Sequence, residues 1–139
     1  MTNYLYAVLL CLITLNSCGQ ENKINEITYT ANSRGFFEEV HVTNDSFTIK
    51  KSRDVDAVKS YALSGKQKSD LQEALRAISV ENLNKLAVPS DAHTYDGAAM
   101  ATLKVKKGDS TLETRVFDHG NPPKQISDLV NILLTLEKK

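Results

Sequence analysis

Apolar and polar residues alternate through Ile27, Tyr29 and Ala31, the period of a strand with one buried face. Arg34-Gly35 follows as a two-residue turn with Gly35 at positive φ. Alternation resumes with Val40 and Val42 turned inward. Asn44-Asp45 makes a tight turn into a third strand carrying Phe47 and Ile49. Pairing about that turn sets Val42 against Phe47 and Val40 against Ile49. It also sets Glu39 against Lys50 on the other face, so an apolar row and an opposite-charge pair agree on one register. Arg53 to Tyr61 fits either a strand or a loop.

The period then changes. Ser64-Gly65-Lys66-Gln67 reads as a capping box, and Leu71, Leu75 and Ile78, with Ala74 beside them, form the stripe of an amphipathic helix. Val80 to Val88 holds a short helical turn before Pro89. A second hairpin turns at Gly108-Asp109, matching Val105 with Leu112, Leu103 with Thr114 and Ala101 with Val116. Its opposite face matches Lys104 with Glu113 and Met100 with Phe117. Asn121 caps a last helix with Pro122 at its first position, and Ile126, Leu129, Val130, Leu133 and Leu136 supply its buried stripe. The order βββ-α-ββ-α predicts an α+β fold: an antiparallel sheet of about five strands with both helices on one face.

The first 17 residues lie apart from this pattern. They hold none of the 17 Lys+Arg or 17 Asp+Glu. Tyr4 to Leu15 is an apolar run broken only by Thr14, too short to span a bilayer and of the length of a signal-peptide core. Leu15-Asn16-Ser17-Cys18-Gly19 resembles the lipobox of bacterial lipoproteins. That resemblance implies a removed leader over 1–17, an acylated Cys18 as mature N-terminus, a tether over 18–25 and one domain over 26–139. Acyl chains on Cys18 hold the membrane, each buried CH₂ contributing about 0.8 kcal/mol. Gly19 stands where Asp would favour retention at the inner membrane, so the outer membrane is favoured. Cys11 leaves with the leader, so the mature domain has neither a disulfide nor a Cys-based metal site.

Charge narrows the partners. The zero formal balance argues against nucleic acid and against polybasic attraction as the main membrane attachment. Of three histidines, His41 reads as a solvated sheet residue. His93 and His119 flank the second hairpin in Asp91-Ala92-His93-Thr94-Tyr95-Asp96-Gly97 and Asp118-His119-Gly120-Asn121. With Ala99 opposite Asp118, His93, Asp96, Asp118 and His119 gather at one end. They are loop punctuation, a binding rim, or candidate ligands for zinc or another transition metal. No HExxH, GxSxG, Walker loop or GxGxxG occurs, and no cofactor is expected. Phe37, Met100 and Phe117 fall on the face assigned to solvent. They are either a partner surface or a strip covered by Val55 to Tyr61 or by the tether.

Three roles follow: a non-enzymatic envelope lipoprotein binding a protein or glycan, an inhibitor, or a metal-binding or hydrolytic protein using the His93/His119 loops. The inhibitor reading rests on Ser33-Arg34-Gly35-Phe36 and the element order, whose layout resembles emfourin-type inhibitors of thermolysin-like metalloproteases. Location is the sharpest expectation. Cys18→Ser releases the chain from membranes and abolishes acyl labelling; labelling that persists in this variant contradicts the lipobox reading.

Overall fold

The computed structural model describes residues 23–138; the leader, Cys18 and most of the tether lie outside them. The strands are β1 (Ile24–Asn32), β2 (Phe37–Val42), β3 (Ser46–Lys50), β4 (Val58–Ala62), β5 (Met100–Lys107), β6 (Ser110–Glu113) and β7 (Phe117–Asp118). The helices are α1 (Gly65–Arg76) and α2 (Ser127–Thr135). All strand pairs are antiparallel, in the order β4-β3-β2-β1-β5-β6, with β7 also on β5. The fold is α+β as the order of elements predicts, with seven strands rather than about five.

The inward rows are those the alternation specifies. Ile27, Tyr29, Ala31, Val40, Val42, Phe47, Ile49, Leu103 and Val105 are buried in one cluster with Leu71 and the α2 stripe from Ile126 to Leu136. The hairpin of β2 and β3 has the expected register, with Val42 opposite Phe47 and Glu39 opposite Lys50. Ser64 caps α1 reciprocally: its hydroxyl accepts the Gln67 amide, and the Gln67 side chain accepts the Ser64 amide. Gln67 also donates to the Leu136 carbonyl at 3.1 Å, tying the start of α1 to the chain's last turn.

Five expectations change. β1 begins at Ile24, so the strand takes the last two residues assigned to the tether. The first turn spans Ser33 to Phe36, closed by the Ser33 amide on the Phe36 carbonyl at 2.9 Å. This longer loop needs no left-handed residue, and Gly35 is not one. The 53–61 stretch forms a short 3-10 turn (Val55–Ala57) and then β4. Because β4 buries little of its own surface, its sequence shows no clear period; the open edge of β3 organises it. The last helix starts at Ser127 rather than Pro122. Asn121 instead closes a turn on the Asp118 carbonyl with Gly120 at φ +87°, and Pro122-Pro123 keep the chain extended before a 3-10 turn (Lys124–Ile126).

The fifth change matters most. β6 holds the expected register at Val105–Leu112 and Lys104–Glu113, and Thr114 exchanges backbone contact with Leu103. The Leu103 amide, however, is accepted by the Thr114 hydroxyl at 3.1 Å. A side chain thus substitutes for the ladder acceptor, the backbone is released, and Arg115-Val116 bulges outward. Pairing resumes one residue late, with Phe117 opposite Ala101 and Asp118 opposite Met100. One inserted residue reverses the faces. Val116 becomes exposed, and Phe117 becomes fully buried, its ring 6.3 Å from that of Tyr29. Phe117 therefore does not belong to an outer patch.

This register makes a contrast testable by denaturant unfolding. Phe117→Ala costs about 3–5 kcal/mol, the range for a buried aromatic. Met100→Ala, at a position 44% exposed, stays within about 0.5 kcal/mol. Pairing without the bulge puts Phe117 beside Met100 on the outer face and predicts a small cost for both.

Candidate functional site

The bulge delivers Asp118 to the end of the sheet where β1 and β3 leave and β2, β4 and β5 begin. There the loop preceding β5 wraps around its carboxylate. Asp118 accepts four hydrogen bonds: from the Ser90 hydroxyl, from the amides of Ala92 at 2.9 Å and His93 at 2.8 Å, and from the His93 ring at 2.6 Å. Burial alone would raise its pKa. The Ser90 hydroxyl, the His93 amide and ring and the Ala92 amide outweigh that and hold the carboxyl well below its ordinary value. Since a carboxylate only accepts, His93 donates through Nδ1. Asn121 completes the cluster by donating to Ser90 at 2.7 Å.

The amides captured by Asp118 begin a short 3-10 turn (Ala92–Tyr95). Asp96 ends it at φ +59°, a conformation Asp tolerates better than most residues, and the Gly97 amide bonds back to Ala92. A Cβ on Gly97 would lie 2.9 Å from the Tyr95 ring and 3.1 Å from the Ala92 carbonyl oxygen. The Tyr95 ring therefore rests on Gly97 although the residue is 70% exposed. His119 turns the other way. Its Nδ1 shares a 2.7 Å hydrogen bond with the buried Tyr29 hydroxyl, and its ring lies 5.1 Å from that of Phe36. Burial, then the nearby Glu38 charge, push the Tyr29 phenol further above its ordinary value, so it stays protonated.

The structure thus joins His93 to Asp118 but does not converge the four candidate ligands. Asp118 is saturated by donors, His119 is engaged by Tyr29, and Asp96 serves the turn. No group of three or more His, Cys, Asp or Glu side chains able to hold a metal occurs among the described residues. The two hydroxyls on this loop nearest His93 in sequence are engaged elsewhere: Ser90 donates to Asp118, and Thr94 to the Asp91 carbonyl.

The expected apolar patch is also redistributed. Phe37 is half-buried beneath Lys50 and Arg53, 5.7 Å and 6.0 Å from its ring centre; Met100 is exposed and Phe117 is internal. The exposed large hydrophobics among the described residues are Phe36, Val55, Val58, Tyr95, Met100 and Val116. All six lie at the Asp118 end. Phe36 sits in the β1–β2 loop, Val55 and Val58 flank the start of β4 opposite Lys50, Met100 opens β5, and Tyr95 and Val116 are in the two loops around Asp118. Five of the six escape sequence reading because their exposure depends on the bulge or on loop geometry; only Met100 carries an alternation signal.

Comparison of the chain with family models, curated proteins and solved structures finds no match.

The depressed Asp118 carboxyl fixes a sign for acid stability. Its contribution is complete above the unfolded value near 3.8 and is lost as pH falls from there towards the lower folded value. Asp118→Asn lowers Tm at neutral pH and flattens the acid limb of a Tm-against-pH profile. An unchanged acid limb contradicts the assigned role.

Proposed function

We propose that the chain is a lipid-anchored envelope lipoprotein whose domain is a non-enzymatic binding module that presents the Asp118 end to a protein partner. The observation that carries this reading is polarity along the sheet. β1 begins at Ile24, six residues after Cys18 in the chain, and it reaches Asn32 about 27 Å further on, at roughly 3.4 Å per residue. The six exposed hydrophobics lie at that far end. Held by Cys18, the domain turns its apolar loops away from its own membrane. The lipobox at Leu15 to Cys18 supports the anchor, and Gly19 supports the outer membrane.

The rim has the composition of a recognition surface: Tyr, Phe, Met and Val around buried polar supports. Its central loop is held before binding by Asp118 and Gly97, which reduces the ordering cost of association. One observation favours the inhibitor alternative: the Ser33–Phe36 loop projects at this same rim with Phe36 exposed. Slowing of a thermolysin-like protease at stoichiometric concentration supports that alternative.

Photo-crosslinkers placed in the full-length chain, in its own envelope, test the main reading. Crosslinks form at Tyr95 and Val116 and not at Thr48 on the sheet's open face. The pair Tyr95→Ser and Val116→Ser abolishes the crosslinked species seen from Met100, with stability changed by about 0.5 kcal/mol per site or less. Equal crosslinking from Thr48, or a complex that survives both substitutions, overturns it.

A further inference from the structure

One part of the rim carries charge that the domain does not neutralise. Between the β1–β2 loop and the segment following β3 lies a notch of about 260 Å³ lined by Arg34, Phe36, Phe37, Lys51 and Arg53, together with Gly35 and Ser52. No acidic side chain lines it. The nearby acids act elsewhere than on the two arginines: Glu137 takes Lys51 at 2.6 Å, the Glu38 charge also acts on Lys51, Asp54 accepts the Ser52 hydroxyl, and Glu39 lies opposite Lys50 in the sheet. Arg53 donates to the Ser33 carbonyl at 2.6 Å, which fixes its guanidinium beside the Phe37 ring. Neither Arg34 nor Arg53 has an acidic partner among the described residues. In a chain whose total charge is zero, two guanidinium groups without acidic partners, one of them over Phe37, in a notch that Phe36 and Phe37 also line are a local imbalance.

We infer that this notch binds the carboxylates of an acidic peptide segment of the protein partner, with the phenylalanine rings receiving its apolar side chains. This inference rests on the proposed rim and names the chemistry of what docks there. Guanidinium forks match carboxylates in two parallel hydrogen bonds, and Arg53 is already held in place, so little freedom is lost on binding. Phosphate offers the same charge. The notch, however, lies at the end of the sheet remote from the anchor, away from the headgroups of the anchoring membrane. The neighbouring Val55 and Val58 extend the surface with apolar area that a phosphate group alone would not use.

The test uses the full-length chain in detergent, followed by NMR, with acetyl-Glu-Leu-Glu-Phe-Glu-amide as probe. The expected result is saturable shifts of the Arg34, Arg53, Phe36 and Phe37 side chains. Binding weakens about tenfold or more in Arg34→Gln and weakens with added salt. Arg34 has no internal partner to lose, so this variant keeps its fold even if Arg53→Gln disturbs the Ser33 loop. Three results overturn the inference: no saturable binding, equal binding of the peptide with Gln in place of Glu, or inorganic phosphate binding as tightly as the peptide. The two readings fail separately. If the peptide does not bind while Tyr95→Ser and Val116→Ser release the partner, the rim stands and the acidic ligand falls. If the peptide binds and those substitutions leave the partner in place, the notch stands and the rim reading falls.

Discussion

The residue inserted between Thr114 and Phe117 governs the architecture of the far end of this sheet. A strand has a period of two, so one extra residue exchanges its faces. Here the exchange places Phe117 over Ala101 in the core and moves Val116 out. Asp118 is set on the side where the 90–96 loop can reach it. The Thr114 hydroxyl makes the insertion tolerable by accepting the Leu103 amide that would otherwise lose its ladder partner. Without that substitution, a buried amide would be left unpaired at a cost of roughly 1–3 kcal/mol.

From Asp118 the order spreads into the loops. A buried carboxylate is costly unless its oxygens are satisfied, and those oxygens are satisfied here by two amides, a hydroxyl and an imidazole. The same bonds fix the loop that carries Tyr95, while Gly97 leaves room for the Tyr95 ring. His93 and His119, adjacent in space to one aspartate, thereby acquire different tasks. His93 orders the loop, and His119 connects the Tyr29 hydroxyl in the core to Phe36 at the surface. The Asp–His pair so conspicuous in the sequence is in this account a support for an apolar rim. The rim's one electrostatic feature, the guanidinium notch, lies beyond it on the β1–β2 loop.

Much of the fold is legible where local pattern and pairing reinforce each other. The Val40–Ile49 and Val42–Phe47 pairs, the capping box at Ser64 and the α2 stripe all follow from short-range chemistry. The errors share a cause. Alternation alone puts Phe117 outside and Val116 inside, because a bulge leaves no mark on it; only Thr114, a hydroxyl at an inward position, hints at it. Asn121 and Pro122 look like a helix start, yet Asn121 is drawn into a turn by Asp118 and Ser90, and this depends on contacts thirty residues away. β4 has no period of its own because its neighbour's edge organises it. The gathering of His93 and Asp118 is readable from the open end of the hairpin, but two of the four donors that saturate Asp118 are backbone amides, which no residue type announces.

The account stands most directly on amide hydrogen exchange at Ala92 and His93. These amides lie in a surface loop outside any strand, where unprotected exchange is the ordinary expectation. If the Asp118 carboxylate holds the loop, both are protected about as strongly as the Leu103 amide in β5, and both lose that protection in Asp118→Asn while Leu103 retains its own. Exchange of Ala92 and His93 at open-loop rates in the unaltered chain would contradict the claim that Asp118 builds the rim.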